Sequence, residues 1–219
     1  MKDKKIIGVT GVYCAGKNNV SLLLNKRGFP VLDVDKLGHQ VIETEKGHIL
    51  ARFGEDILDS EGLIDRKRLG VKVFDRPEEL AALEEIIHPI VNRETLEWIN
   101  AQKENTCFIN AALLHRSSAF ESLDAVIVVE APFLARLFRA KKRDRLPWMA
   151  LLKRFRSQAN FTAQYFKGKT DIYRVSNPSL CSKRCCIIGA IFRYFGHGKH
   201  GLRNRLEKRI DEILSLLGM

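Results

Sequence analysis

The sequence predicts an α/β fold, a three-layer αβα arrangement with a parallel central sheet between two layers of helices. Short apolar runs of strand length alternate with segments of helical periodicity, the order typical of right-handed βαβ crossovers. One run, Ala125–Val129, reads Ala-Val-Ile-Val-Val, and such unbroken apolar strands are typical of parallel sheets buried on both faces. With 45% hydrophobic residues, the chain of 219 residues has enough apolar material for a core.

The N-terminal part begins with a strand and a helix. Lys5–Val9 is a β-branched apolar run ended by Gly11. Lys17–Arg27 carries apolar residues at helical spacing, and Gly28 marks its end, so we expect a helix there. The elements that follow are a strand at Val31–Asp33, a helix at Lys36–Phe53 and a glycine-containing loop at 54–65.

The remaining helices and strands alternate toward the C terminus. Pro77–Gln102 is the clearest helix because its apolar residues recur on one face, and a helix at Arg66–Phe74 precedes it. Pro147–Phe166 has the pattern of a basic amphipathic helix. The other expected elements are strands at Cys107–Ala112, Ala125–Val129 and Ile172–Val175 and helices at Pro132–Lys142 and Leu202–Leu217.

Positive charge is concentrated in the second part of the chain. The net charge is +11, and from Arg136 onward there are 20 Lys and Arg against 5 Asp and Glu. This balance favours an anionic partner. The phosphates of a small molecule and those of a nucleic acid fit it equally well.

The sequence also predicts a soluble, cytoplasmic protein that does not contact membranes. The basic residues near the start are followed by too short an apolar run for a secretory signal. No apolar stretch reaches the roughly 20 residues that a membrane helix needs. We expect reduced thiols at the five cysteines, which are Cys14, Cys107, Cys181, Cys185 and Cys186.

The strongest signal is a glycine-rich loop between the first strand and the first helix, Gly11-Val12-Tyr13-Cys14-Ala15-Gly16-Lys17-Asn18. It fits the G-x-x-x-x-G-K pattern of a phosphate-binding loop in the strand–loop–helix context that this motif requires. Backbone N–H groups and the helix N-terminus would surround phosphates, and Lys17 would reach the β- and γ-phosphates. We assign ATP binding to this run and to Asn19, in preference to a plain glycine turn with a surface lysine.

Asn18 departs from the motif, which usually has Ser or Thr after the lysine to supply a hydroxyl to Mg²⁺. An amide oxygen also binds hard cations, directly or through water. We therefore predict that Mg²⁺-ATP binds, with Asn18 and Asp33 as the metal-binding residues.

An acidic pair, Asp33 and Asp35, follows the second strand. The carboxyl ends of parallel strands face the ligand crevice, so these carboxylates would orient Mg²⁺ and accept a proton from a substrate hydroxyl. The alternative is that Asp33 only caps the next helix. The neighbouring phosphate loop favours the functional interpretation.

Further segments occur in a fixed order along the chain. They are Gly8-Val9-Thr10-Gly11, Gly16-Lys17, Leu32-Asp33-Val34-Asp35, Phe53-Gly54-Glu55-Asp56-Ile57-Leu58, Gly62, Asp65-Arg66, Val73-Phe74, Leu83-Glu84-Glu85-Ile86-Ile87-His88-Pro89, Arg139 with Arg143-Asp144, and Gln158. Together they resemble the dephospho-coenzyme A kinase family over about residues 5–177. The loop is common to many nucleotide-binding proteins, whereas its combination with Asp-x-Asp and His-Pro is much more specific.

The resemblance implies one kinase domain, 1–219, with three parts. These are a P-loop core at about 1–35, 105–138 and 169–219, a helical acceptor-binding insert at about 36–104, and a helical lid at about 139–168. The implied reaction transfers the terminal phosphate of ATP to the ribose 3′-hydroxyl of dephospho-coenzyme A, the last step of coenzyme A biosynthesis.

The resemblance also implies roles for individual residues. The catalytic group would be Lys17, Asp33 as the base, and Arg139 and Arg143 in the basic lid. The acceptor side would include Asp35, Arg66, His88 and Leu113. Asn177 would bind the adenine of ATP.

Two regions depart from the family pattern. Where the family has Pro-Leu-Leu-x-Glu, this chain has Ala112, two leucines and Arg116, which reverses a charge near the acceptor. The segment 178–201 contains three cysteines and two histidines, and their spacing fits no common zinc module, so we expect free cysteines rather than zinc.

Three alternatives remain open from the sequence. The chain could be another P-loop small-molecule kinase, or a relative that binds nucleotide but has lost catalysis, which Asn18 and Arg116 keep possible. Nucleic-acid binding is disfavoured because no recognition motif is present. The sequence leaves the oligomeric state open between monomer and homotrimer.

Overall fold

The computed structural model describes residues 4–74, 76–112, 123–157, 170–177 and 199–219, with the backbone alone for 199–203. The described strands are β1 (Lys5–Gly11), β2 (Val31–Asp33), β3 (Thr106–Asn110), β4 (Ala125–Glu130) and β5 (Asp171–Ser176). The described helices are α1 (Lys17–Lys26), α2 (Val34–Thr44), α3 (Lys46–Phe53), α4 (Arg66–Val73), α5 (Pro77–Ala101), α6 (Phe133–Asp144), α7 (Trp148–Ser157) and α8 (Lys199–Leu216).

The strands form one parallel sheet in the order β2-β3-β1-β4-β5. Because every strand runs the same way, the residues that end the strands lie along one edge. Register brings Asn110 of β3 opposite both Val9 of β1 and Asp33 of β2. The predicted parallel sheet is confirmed, and its carboxyl edge collects the glycine-rich loop and the acidic pair.

Helices cover both faces of the sheet, which confirms the predicted three-layer αβα fold. On one face, α1 and α8 pack against β1 and β4, with Leu24, Ile210 and Ile213 fully or almost fully buried. On the other face, Ile99 of α5 packs against Ile109 and the strand residues beside it. Each such aliphatic side chain contributes about 1.5–3 kcal/mol by leaving water.

The helices α2 to α5 build a second apolar cluster away from the sheet. It contains the buried side chains Ile49, Phe53, Ile57, Leu69 and Leu83. Asp65 caps α4 by accepting from the backbone N–H groups of the next turn. This separate cluster is consistent with the predicted helical insert, whose bounds at 36–104 stay a prediction.

The single helix expected at Lys36–Phe53 is wrong. The chain forms two helices, α2 and α3, that meet at Glu45, whose φ of −90° and ψ of 17° end α2. The side chain of Glu45 contacts Nδ1 of His48 at 2.7 Å, and Lys46 donates to the carbonyl of Gly62. At the break, the start of α3 thus contacts the loop that follows this helix.

Several predicted boundaries shift. The strand expected at Cys107–Ala112 ends two residues earlier, at Asn110. The expected loop at 54–65 contains a turn of 3₁₀ helix at Glu55–Ile57 and an antiparallel bridge between Leu58 and Ile64. The end of the helix predicted to reach Phe166 lies outside the described residues, as do Leu113, Arg116, Gln158 and the segment 178–198. No helix within the described ranges is long and apolar enough to cross a membrane.

Candidate active site

The glycine-rich loop joins β1 to α1, and two of its glycines leave no space for a side chain. A Cβ at Gly11 would lie 2.4 Å from the carbonyl oxygen of Val129 in β4. Gly16 has a φ of 97°, in the left-handed region that favours glycine. A Cβ at Gly16 would also lie 2.2 Å from Nδ2 of Asn177. The loop therefore depends on both glycines to fit closely against the sheet.

Arg139 and Asn177 bind the carbonyl oxygens of the loop. Nη1 of Arg139 donates to the carbonyls of Cys14 at 3.0 Å and Ala15 at 2.8 Å, and its Nη2 donates to the carbonyl of Asn177 at 2.7 Å. The buried side chain of Asn177 donates to the carbonyl of Ala15 at 2.9 Å. A carbonyl oxygen that faced a bound phosphate would repel it. In these bonds the loop carbonyls of Cys14 and Ala15 face hydrogen-bond donors instead. Both residues thus support the loop, and a contact of Asn177 with adenine stays a prediction.

Lys17 begins α1 and pairs with Asp35. Its Nζ lies 3.0 Å from Oδ2 of Asp35, while Oδ1 of the same carboxylate accepts from the backbone N–H of Ala112 at 3.0 Å. The Lys17 side chain is only 13% exposed. Burial lowers the pKa of Lys17, and the charges of Asp35 and Asp33 oppose this change. The structure therefore brings the loop lysine and both predicted acids into one electrostatic site.

Asp33 caps α2, as the alternative interpretation expected. Its Oδ1 accepts from the backbone N–H of Lys36 at 3.1 Å. The cap uses one carboxylate oxygen and holds the side chain at the end of β2, close enough for its charge to act on Lys17. Capping and a role in the chemistry are therefore compatible in this geometry.

Two asparagines lie next to each other beside the loop. Nδ2 of Asn110, at the end of β3, donates to Oδ1 of Asn18 at 3.4 Å. Asn110 is 1% exposed, and its Oδ1 has no hydrogen-bond partner among the described residues. Asn110 was not predicted as a site residue, although a polar residue that ends an apolar strand at the carboxyl edge was an available signal.

Arginines from α6 surround the loop. Burial raises the pKa of the Cys14 thiol, and the charges of Arg143, Arg139 and Arg136 oppose this change. The charge of Arg143 also contributes to lowering the pKa of Lys17. The guanidinium of Arg136, a residue not predicted for the site, lies 5.0 Å from the ring centroid of Phe155. These cations around one loop repel one another, so the site favours an anion.

The structure does not bring every predicted residue to the loop. Arg66 is exposed at the start of α4, and His88 is half-buried in α5, directly before Pro89. Neither takes part in the contacts between Lys17 and Asp35. Asn19 is exposed in the first turn of α1, and Leu113 lies outside the described residues.

A metal cluster of the zinc type does not occur in the described ranges. No group of three or more His, Cys, Asp or Glu side chains there could hold an ion. Cys14 and Cys107 are free thiols. The late cysteines, Cys181, Cys185 and Cys186, lie outside the described residues, so their state stays a prediction.

A parallel sheet with a glycine-rich loop, a lysine and two carboxylates at its carboxyl edge defines the class of P-loop kinases. Within that class, the chain belongs to the dephospho-CoA kinase family, since the model of that family matches residues 5–172. The dephospho-CoA kinase of Treponema denticola is 34% identical over 182 residues, which cover 78% of this chain and 82% of the relative. That of Treponema pallidum is 33% identical over 197 residues, covering 84% and 93%.

Solved structures agree with this assignment. The crystal structure of TT1252 from Thermus thermophilus has a TM-score of 0.75 at 28% identity and covers 99% of both chains. A dephospho-CoA kinase from Campylobacter jejuni has a TM-score of 0.58 at 27% identity, covering 96% of this chain and 97% of that one. A shikimate kinase from Bacteroides thetaiotaomicron, 14% identical with a TM-score of 0.52, shares the fold.

Gly16→Ala is expected to weaken ATP binding by about tenfold or more. The new methyl group would overlap the amide of Asn177 and strain the left-handed backbone, which costs about 1–3 kcal/mol. Gly28→Ala is the matched control, because Gly28 has a φ of 86° but no neighbouring atom within 4 Å of its would-be Cβ. Calorimetric titration with ATP measures both variants. Equal ATP affinities for the two alanine variants would contradict the importance of the Asn177 contact.

Proposed function

We propose that this protein transfers the γ-phosphate of ATP to the ribose 3′-hydroxyl of dephospho-coenzyme A, giving coenzyme A and ADP. The observation that carries the proposal is the buried ammonium of Lys17 beside the carboxylates of Asp35 and Asp33, at the start of the helix that follows the loop. The family to which the chain belongs supplies the acceptor.

The reaction needs a proton acceptor and a set of positive charges. We propose that Oδ2 of Asp33 accepts the proton of the 3′-hydroxyl, since Oδ1 already accepts the hydrogen bond of the helix cap. The hydroxyl oxygen forms a bond to the γ-phosphorus, and the bond from that phosphorus to the bridging oxygen of ADP breaks. Lys17 and Arg143 would stabilise the charge that develops on the phosphoryl oxygens.

The residues present fit a Mg²⁺ ion. Asn18 is exposed beside the loop, and the buried Oδ1 of Asn110 has no described hydrogen-bond partner, so neutral oxygen ligands are available. Asn18, together with the neighbouring Asn110 and with Asp33 at the end of β2, would hold the ion directly or through its waters. When bound, Mg²⁺ neutralises charge on the β- and γ-phosphates.

The acceptor would lie between the core and the helical insert, with Arg66 and His88 on its far side. We further propose that the protein acts in the cytoplasm, as the free thiols of Cys14 and Cys107 permit. The lid at about 139–168 would exclude water, so that ATP is not hydrolysed instead.

A coupled assay of ADP release tests the function. We expect ADP with dephospho-coenzyme A and ATP, and much less with shikimate or adenosine as the acceptor. ADP release with another acceptor alone would identify a different P-loop kinase. ATP binding without ADP release for any acceptor would instead identify a relative that has lost catalysis.

Asn18→Ser tests the metal site separately. A hydroxyl at this position is expected to lower the Mg²⁺ concentration that gives half-maximal ATP binding, because it supplies the ligand usual for this loop. Asn19→Ser, one residue further and also exposed, is the matched control. Calorimetric titration of ATP at a series of Mg²⁺ concentrations measures the change. An unchanged Mg²⁺ dependence in Asn18→Ser would contradict the expectation that a hydroxyl at residue 18 is the better ligand.

A further inference from the structure

Asp144, the last residue of α6, connects three parts of the molecule. Its Oδ2 accepts a hydrogen bond from the hydroxyl of Tyr13 in the glycine-rich loop. Its Oδ1 lies 2.7 Å from Nε of Arg143, and Nη1 of Arg154 in α7 lies 3.6 Å from Oδ2. One carboxylate thus meets the loop and both described helices of the lid region.

The position of Arg143 depends on this carboxylate. Two of its nitrogen atoms face Asp144, and its guanidinium lies 5.0 Å from the centroid of the Tyr13 ring. The positive charge of Arg143 also contributes to lowering the pKa of Lys17 in the same site. Asp144 and Tyr13 therefore hold the guanidinium of Arg143 beside the phosphate-binding loop.

The junction is built into the apolar packing and is more than a surface ion pair. The Asp144 side chain is only 16% exposed, while those of Arg143 and Arg154 are 61% and 50% exposed, so it is the burial of the carboxylate that distinguishes this junction from an exposed ion pair, which would contribute little. The Tyr13 ring packs edge-on against Phe155 of α7, with centroids 5.3 Å apart. Phe155 belongs to an apolar cluster with Ala140 and Leu151 that backs the loop from the lid side.

We propose that Asp144 is a positioning residue for phosphoryl transfer, which holds Arg143 against the loop and fixes the base of the lid to Tyr13. This inference rests on the proposed function. Without the carboxylate, the guanidinium groups of Arg143 and Arg154 repel each other and lose their shared acceptor. Arg143 would then point less often at the phosphoryl oxygens, whose charge is greatest in the transition state. The loss should therefore fall on kcat more than on the KM for ATP.

Asp144→Asn tests the proposal, since asparagine keeps the size of the side chain and an oxygen for Tyr13 but removes the charge. We expect kcat to fall by about tenfold or more, with the KM for ATP changed less than about threefold. In the Arg143→Ala background, Asp144→Asn should have little further effect, because the two residues act through one group. Asp144→Glu, which keeps the negative charge, is expected to retain more activity than Asp144→Asn.

Glu212→Gln is the matched control. Glu212 pairs with Arg209 at 2.8 Å on α8, and its loss should leave kcat unchanged. Thermal unfolding of each variant checks the fold. A normal kcat in Asp144→Asn, or equal losses from Asp144→Asn in the wild-type and Arg143→Ala backgrounds, would overturn the proposal.

A second readout separates this inference from the proposed function. If the wild-type protein releases no ADP with dephospho-coenzyme A, the proposed function fails, but binding still tests Asp144. ADP with aluminium fluoride imitates the transferring phosphoryl group. Asp144→Asn should weaken binding of this complex by about tenfold and that of ATP by much less. Equal weakening of both ligands, or of neither, would contradict a positioning role.

Discussion

Asp33→Asn is expected to lower kcat by about 10²- to 10⁴-fold, the contribution typical of a general base. Asparagine is as good a helix cap as aspartate, so the cap of α2 and the fold should survive. The substitution removes the negative charge of the carboxylate, and with it the capacity to accept the proton of the acceptor hydroxyl and a charged partner for Mg²⁺ and Lys17. Steady-state kinetics with ATP and dephospho-coenzyme A give kcat, and thermal unfolding reports the stability.

Asp65→Asn is the control for this prediction. Asp65 caps α4 through the N–H groups of Lys67 and Arg68, so the chemical change is the same in a second helix cap. We expect kcat within about twofold of the wild type, since the cap is retained. If Asp33→Asn kept more than about a tenth of the wild-type kcat, the role of the base would belong to another group, of which Asp35 is the nearest candidate.

Lys17→Met is expected to reduce kcat/KM by about 10²- to 10³-fold, because one preformed positive charge at the transferring phosphoryl group is lost. The methionine side chain has a similar length and fills the same buried space. Loss of the lysine also leaves Asp35 without its ammonium partner, and the unpaired carboxylate then repels the phosphates. The second-order rate constant at low ATP measures the effect.

Lys26→Met controls for the loss of a lysine from the same helix. Lys26 is exposed in the last turn of α1, away from the loop. Its substitution should leave kcat/KM unchanged within about twofold, as is usual for exposed sites without special contacts. A small effect of Lys17→Met, similar to that of Lys26→Met, would mean that Lys17 does not act on the γ-phosphate.

The glycine-rich loop and the parallel sheet could be predicted because their signals are local. The spacing from Gly11 to Lys17, between an apolar strand and a helix, is a complete motif within a short stretch of sequence. The parallel sheet was predicted from apolar runs such as Ala125–Val129, because strands buried on both faces need apolar side chains at nearly every position. The parallel sheet is confirmed, and the loop lies between β1 and α1 as predicted, whereas its binding of phosphate stays a prediction.

Contacts between distant residues could not be predicted in the same way. The hydrogen bond from Tyr13 to Asp144 joins residues 131 positions apart, and no periodicity indicates it. The pairing of Lys17 with Asp35, rather than Asp33, depends on how α2 turns after its cap. The break at Glu45 was missed because apolar residues at helical spacing continue through it, although Thr44 and Gly47 beside it are poor helix formers.

The place of Asp33 in the sheet has a consequence for how activity is lost. Asp33 ends β2, an edge strand of three residues, whereas the loop begins on β1 at the centre of the sheet. Edge strands with few neighbours open locally at a smaller free-energy cost than central ones. Mild heat or denaturant would therefore displace Asp33 and stop turnover while the loop still binds nucleotide. Loss of activity would then precede global unfolding.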